Sequence, residues 1–308
     1  MSGSSRVLTF PAGETVLAEP LRIEPDTLVT GQGKSTVLRW GGPGPGLIFG
    51  SETGNMYGAW VRDLTLACGV LVQQMTQNCG MSNVWFCNPV GDGLTVRGVG
   101  ERMVFRDCVA FGCGGDGVVI DPPAGIGNNG LLFDHCNMQA NRGAGVRLNA
   151  ESRAELAHTI FRDCTIQGNG VPLEGDLNSD GQVDIADLAE ALRRGDPALA
   201  QTVTRRMGMV STVPADMVIV GNVRGTRLNG TWLEPTLTGV AVDAAHSGSA
   251  EPTIIVEGAT VISFARRAAV RMTRGRLRVD ELILTGQTQP MQVGQAKLDG
   301  AGAGVRRL

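Results

Sequence analysis

Val104-Phe105-Arg106-Asp107-Cys108-Val109 recurs as Leu132-Phe133-Asp134-His135-Cys136-Asn137-Met138 and again as Ile160-Phe161-Arg162-Asp163-Cys164-Thr165-Ile166. The three cysteines stand 28 residues apart in both intervals. Weaker copies are Val84-Trp85-Phe86-Cys87 and Val61-Arg62-Asp63-Leu64-Thr65-Leu66. A second element opens each unit: Gly91-Asp92-Gly93-Leu94, Gly115-Asp116-Gly117-Val118 and Gly143-Ala144-Gly145-Val146, starting 24 and 28 residues apart. Thr238-Gly239-Val240-Ala241-Val242 is a later form of it. A period of about 22 to 28 residues, made of short alternating strands and Gly/Asn turns, has room for three strands and three turns. Stacking such units puts equivalent residues about 4.8 Å apart. Phe105, Phe133 and Phe161 are then expected to form one column and Cys108, Cys136 and Cys164 another, both inside the core.

Composition agrees. Glycine supplies 44 of 308 residues, about twice the usual share of about 7%, while aromatics are 4% and tyrosine occurs once. That balance favours thin, turn-rich, layered β-structure over a helical globule. The fold class expected is all-β: a parallel β-helix solenoid of about ten coils. A leucine-rich solenoid is disfavoured because its LxxLxLxxN pattern is missing. The net charge of −3 provides no basic field, so nucleic acid is not expected as a partner. Met1-Ser2-Gly3-Ser4-Ser5-Arg6 leads into no apolar h-region, and no 18-residue apolar run occurs, so neither a signal peptide nor a membrane span is expected. The seven cysteines are odd in number and form no CxxC pair, which argues against zinc and for small buried hydrophobes.

The chain resembles the right-handed parallel β-helix superfamily that includes pectate-lyase-like enzymes and phage tailspikes. The opening stretch carries the resemblance: Phe10-Pro11-Ala12-Gly13, Leu21-Arg22-Ile23, Gly31-Gln32-Gly33 and Thr36-Val37-Leu38 are similar to that family's first coil. The Gly31-Gln32-Gly33 turn lacks the third glycine and the helix of a dinucleotide loop. On this reading residues 1–40 open and cap the solenoid, 41–170 are its coils, and 214–308 continue it into a basic, flexible tail.

Residues 171–213 break the repeat. Asp176, Asn178, Asp180, Asp184 and Asp187 place oxygen donors at positions 1, 3, 5, 9 and 12 of a loop, with Gly181 at position 6 and Gln182 offering a backbone carbonyl. Hard oxygen donors at that spacing suit Ca2+. The loop resembles the dockerin form of the EF-hand, although a dockerin has two loops and one is present here. It is expected to be a calcium-clamped helical knob, with a helix over 185–194 that carries Leu188, Ala191 and Leu192 on one face, and a second over 197–207.

The resemblance implies that an enzyme of this fold would act on polysaccharide, through an arginine base and carboxylate-bound Ca2+ in lyases or through paired aspartates in hydrolases. The sequence has no Asp-Asp pair and no Gly-His-Gly. The best catalytic candidates are Asp92 and Asp116, expected one rung apart, with Asp121 nearby. Like charges at that distance raise one pKa, as an acid/base pair requires. Asp107, His135 and Asp163 occupy one turn position. Trp40, Tyr57, Trp60 and Trp232 are the candidates for glycan contact. The leading expectation is a structural phage virion protein, tailspike-like or capsid-decorating, homotrimeric, made in the host cytoplasm and meeting other virion proteins or a host surface polysaccharide. The alternatives are a polysaccharide lyase or glycoside hydrolase, and a calcium-dependent docking module.

Overall fold

The computed structural model describes residues 6–50, 56–73, 76–97, 100–122, 127–150, 155–170, 174–177, 183–209, 215–235, 238–245, 250–286, 288–289, 291–294, 297–299 and 305–307. They form a right-handed parallel β-helix. One face is a ten-strand parallel sheet running from Leu21–Ile23 to Gln292–Val293, one strand per coil. The other two faces belong to a continuous 24-strand sheet that bends at each coil. The bend lies where the sequence repeat has its turn. Asp63, Asn83, Asp107, His135 and Asp163 all have φ between 50° and 55°. That left-handed conformation is open mainly to Gly, Asn, Asp and His, the residue types found there.

The expected columns are present. Phe105 pairs with Phe133 and Phe133 with Phe161, with ring centroids 4.7 and 5.0 Å apart and planes within 13° and 9°. The same interior column continues up through Met81, Val61 and Val29 and down through Leu228, Val256 and Val279. All are buried, each contributing about 1.5–3 kcal/mol of transfer free energy. Six of the seven cysteines are buried and Cys87 is half-buried. Burial pushes the thiol of Cys68 up to about 11 and that of Cys113 to about 12, so both are thiols at neutral pH and poor nucleophiles.

The Gly-Asp-Gly repeat has a packing cause. Asp92 Oδ1 accepts the Asp116 N–H at 2.8 Å, and Asp116 Oδ1 accepts the Ala144 N–H at 2.6 Å. Each carboxylate therefore ties its turn to the coil below. A Cβ on Gly115 would lie 2.2 Å from Asp92 Oδ1, and one on Gly143 2.1 Å from Asp116 Oδ1, so only glycine leaves the space.

A second ladder runs inside. The Cys113 N–H donates to Asn141 Oδ1 (3.0 Å), and the Asn141 N–H and Nδ2 donate to Asn169 Oδ1 (3.2 and 2.9 Å). The Asn169 N–H then donates to Asp216 Oδ1 (3.0 Å). Asn169 precedes the inserted segment and Asp216 follows it, so this bond joins the two feet of the insertion.

The insertion holds two helices, α1 (Ile185–Arg193) and α2 (Pro197–Arg206). Both are capped by aspartate: Asp184 with Asp187 in a capping box, and Asp196 before Pro197. They enclose a small core of Val183, Ala191 and Val203, with Leu188 packed against it. Leu192, expected on the same face, is 64% exposed. Ala191 takes the inward position, and the next residue is rotated about 100° away from it.

At the two ends, strands do the work. Arg6–Thr9 is the first rung and pairs with Thr27–Thr30, leaving Val7 57% exposed. Val305–Arg307, expected in a flexible tail, pairs with Leu282–Leu284 as the last rung, with Val305 against the core. Among the described residues, no helix is long and apolar enough to cross a membrane.

Candidate functional site

A groove of about 550 Å³ lies on the outer side of the ten-strand sheet. Its walls are two turns, Trp40–Pro45 and Val90–Asp92; its floor includes Leu71 and Thr95; Arg97 stands at one end. The Gly41-Gly42-Pro43-Gly44-Pro45 turn keeps the wall thin and stiff, because proline fixes φ while glycine adds no side chain. Trp40 is half-buried and its Nε1–H donates to the Pro43 carbonyl at 3.4 Å. The indole is thus held by the wall it belongs to. The rim residue Val90 is 96% exposed.

Two of the residues singled out in the sequence meet here, Trp40 and Asp92. Burial raises the Asp92 carboxyl above the usual aspartate value. The Asp116 N–H opposes that shift by bonding the ionised form, and the Asp116 charge adds to it. The expected like-charge effect therefore operates, but it is secondary to burial.

Asp116 itself lies outside the groove lining. Arg147 donates from Nε to Asp116 Oδ2 and from Nη2 to Oδ1 (3.3 Å), and the Ala144 N–H takes Oδ1 as well. Asp121 stands behind Arg97 at 3.8 Å and accepts from Asn149 Nδ2 at 2.9 Å. Among the described residues the groove is therefore lined by one carboxyl group, whereas glycosidic hydrolysis by the usual routes needs two, about 5–9.5 Å apart. The arrangement can stack a sugar ring on Trp40, bond its hydroxyls through Asp92 and Thr95, and offer the Arg97 guanidinium, which is more than half exposed.

The other aromatic candidates are elsewhere. Trp60 packs beside Arg62, whose guanidinium carbon is 5.2 Å from the ring centre, on the bent sheet. Tyr57 is exposed on the preceding strand, Met56–Tyr57. Trp232 is exposed on a third face, in register with Thr165 and Val261. Arg97 and Thr95 were not anticipated. Their only sequence signal is position: both follow the Gly91-Asp92-Gly93 turn, Thr95 on the floor strand Leu94–Val96 and Arg97 just beyond its end.

Of the calcium-loop residues, Asp176, Asp184 and Asp187 are described; Asn178, Asp180 and Gln182 lie outside the described residues. Asp187 is fully buried and its two oxygens accept the Leu177 N–H (2.6 Å) and the Asp184 N–H (2.9 Å). An all-oxygen donor set fits Ca2+.

A further cluster, Asp134, His135 and Asp163, brings ligand-type atoms within 4.8 Å. Asp134 is already taken by Arg106 at 3.1 Å and Arg162 at 2.8 Å. These guanidiniums hold its carboxyl well down, at about 2, and oppose a metal cation there.

No protein-family model matches the chain, and no curated protein sequence matches it. Solved structures do share its fold. One is the Geobacillus virus E2 ORF18 protein, at TM-score 0.61 and 13% identity over 95% of this chain and 51% of that one. The fold is a right-handed parallel β-helix. The catalytic unit of a thermostable GH87 α-1,3-glucanase from Streptomyces thermodiastaticus is also similar, at TM-score 0.54 and 10% identity over 97% of this chain and 62% of that one. The chain thus spans about half and about three-fifths of these two proteins. At such identities the likeness is one of fold.

Proposed function

We propose that this β-helix is a tailspike-like component of a phage particle that holds a surface polysaccharide in the Trp40–Asp92–Arg97 groove. The observation that carries the reading is the groove itself: an indole wall, a half-buried carboxyl and the exposed Arg97 guanidinium, backed by Asp121, meet on one side of a rigid sheet. A phage protein and a glucan-cleaving enzyme among proteins of like fold support it. Binding is favoured over cleavage because the second carboxylate, Asp116, is committed to Arg147 and Ala144.

Trp40→Ala is expected to weaken glycan binding at least about tenfold, the loss of roughly 1.4 kcal/mol of stacking and burial. Glycan-array capture followed by calorimetry measures this. Undiminished affinity in Trp40→Ala would remove the groove from the proposal. Sustained release of reducing ends, abolished by Asp92→Asn, would replace binding by catalysis.

The inserted loop is proposed to bind Ca2+ through Asp176, Asn178, Asp180, Gln182, Asp184 and Asp187, as a clamp on its own fold. Millimolar Ca2+ is expected to raise the melting temperature of wild type by the equivalent of about 2–3 kcal/mol at saturating metal. Asp187→Asn is expected to lose that response. Equal melting curves with Ca2+ and with chelator would overturn the clamp.

A further inference from the structure

One interior column changes its chemistry part-way along the solenoid. Val109 is in register with Asn137, Asn137 with Thr165, Thr165 with Trp232 and Trp232 with Val261. The residues just before them therefore stack as well: Cys108, Cys136, Cys164, Thr231 and Thr260, all buried. From Cys136 onward each donates to a carbonyl of the preceding coil. Cys136 Sγ donates to Phe105 (3.2 Å), Cys164 Sγ to Phe133 (3.4 Å), Thr231 Oγ1 to Phe161 (3.0 Å) and Thr260 Oγ1 to Leu228 (3.0 Å). A hydroxyl thus meets the hydrogen-bonding need of this position, and better than a thiol, which is a weak donor. What a thiol adds is a soft, polarizable sulfur that binds soft metal ions.

Two of the thiols border a gap. Cys108 and Cys136 line an internal space of about 10 Å³, and so does Met138, two residues on and also buried. Two thiols and a thioether therefore meet at one space, walled by Phe86, Phe105 and Phe133. The side chains of its lining carry no oxygen or nitrogen, so a water there lacks the two to four polar partners it needs. The spacing suits an ion. Adjacent rungs are about 4.8 Å apart, and two metal–thiolate bonds of about 2.3 Å span about 4.6 Å.

We propose that Cys108, Cys136 and Met138 bind one Cu(I) ion inside the solenoid, as a structural ion joining two adjacent coils. The donor set selects the ion. Thiolate and thioether sulfur suit Cu(I), whereas Ca2+ and Mg2+ take oxygen donors and structural Zn2+ takes four ligands where three are offered. On binding, one thiol passes its proton to solvent and its thiolate bonds the ion; the second thiol and the thioether coordinate as neutral donors. A charge of +1 replaces a charge of +1, so the apolar core gains none. Cys136 is the thiol placed to ionise, because the thiols of Cys108 and Cys164 on either side stabilise its anion against the cost of burial. Asp107 and His135, both exposed at the bend, immediately precede Cys108 and Cys136, so opening of that bend gives the ion its way in.

The test is retention of Cu(I) by the full reduced chain under argon against a chromophoric Cu(I) chelator, repeated with Ag(I), which does not cycle between oxidation states. Wild type is expected to hold one ion per chain. Cys136→Ser keeps a donor for the Phe105 carbonyl, as Thr231 does for Phe161, so it is expected to fold. It is expected to bind at least about 100-fold more weakly, one ligand's share of a four-ligand thiolate site. Met138→Leu nearly conserves volume and is expected to weaken binding about tenfold. Cys164→Ser, one rung from the gap, and Cys87→Ser, at the half-buried thiol, are expected to bind as wild type does. A thermal melt checks the fold of each variant, and Cys108→Ser takes the place of Cys136→Ser if the latter misfolds. The proposal is overturned by a wild type that retains no ion, or by folded Cys136→Ser and Cys108→Ser that retain it undiminished. Loss of the ion in Cys87→Ser or Cys164→Ser, or tighter retention of Zn2+ than of Cu(I), overturns it equally.

Discussion

Phe133→Ala is expected to lower folding stability by about 3–5 kcal/mol, the upper range for a buried aromatic truncated to alanine. Phe133 is 1% exposed and is the middle ring of three, stacked at 4.7 Å on Phe105 and at 5.0 Å on Phe161. Its loss removes two ring contacts, whereas Phe105→Ala or Phe161→Ala removes one. Collapse around the vacancy is limited because each rung is fixed to its neighbours by backbone hydrogen bonds on both sides. The interior beside it already contains a gap of about 10 Å³ bounded by Phe86, Phe105 and Phe133. Its lining is apolar, so the enlarged cavity is expected to stay dry. Urea titration measures the effect. A double-mutant cycle of Phe105 with Phe133 is expected to give about 0.5–1.5 kcal/mol of coupling. A loss under about 1 kcal/mol would mean that the stack contributes little beyond filling space.

The second large effect is in pH. Full burial pushes the Asp216 carboxyl up to about 8, while Oδ1 accepts from Asn169 and Oδ2 has no hydrogen-bond partner. In the unfolded chain the same group ionises near the ordinary aspartate value of 3.8. The folded state therefore binds more protons than the unfolded state between these two values. Stability from this group is fully present below about 4 and is lost as pH rises through about 8. The span corresponds to a loss on the order of 5 kcal/mol. Asp216→Asn keeps the Oδ1 acceptor and cannot ionise, so it is expected to flatten the slope across this window. Asp134 acts in the opposite sense and in a different window. Its carboxyl is held at about 2 by Arg162 and Arg106, so its contribution is present above the ordinary aspartate value and is lost only as pH falls towards 2. Denaturant midpoints at a series of pH values separate the two. A wild-type midpoint that stays level from pH 4 to 8 would refute the assignment to Asp216. Because Asp216 fastens the return of the insertion to the coil, limited proteolysis of the insertion is expected to quicken over the same pH range.

Much of this was legible in the sequence for a simple reason: in a solenoid, neighbours in space are neighbours in the repeat. A 28-residue interval between Cys108, Cys136 and Cys164 is both a sequence period and a rung spacing, so the phenylalanine and cysteine columns follow from the spacing alone. The turn position of Asp107, His135 and Asp163 was legible on the same ground, and their left-handed φ values explain the residue types. The helices of the insertion were legible from their aspartate caps and from Pro197.

The site was legible only in part. Asp92 and Asp116 look equivalent in sequence, each within Gly-Asp-Gly. The structure separates them, since Arg147 reaches Asp116 from 31 residues away and the groove opens beside Asp92. Trp40, Tyr57, Trp60 and Trp232 are alike as exposed-aromatic candidates, yet three different faces carry them. The face on which a side chain lies depends on where each strand bends, and the bends are set by single left-handed residues rather than by hydrophobic pattern. By itself, the sequence determined the stacked coils, the interior columns and the acidic insertion, because these depend on periodicity and local capping. Only the tertiary structure decided which aspartate is tied up and which tryptophan walls a groove, because each of those depends on what neighbouring coils bring to the same place.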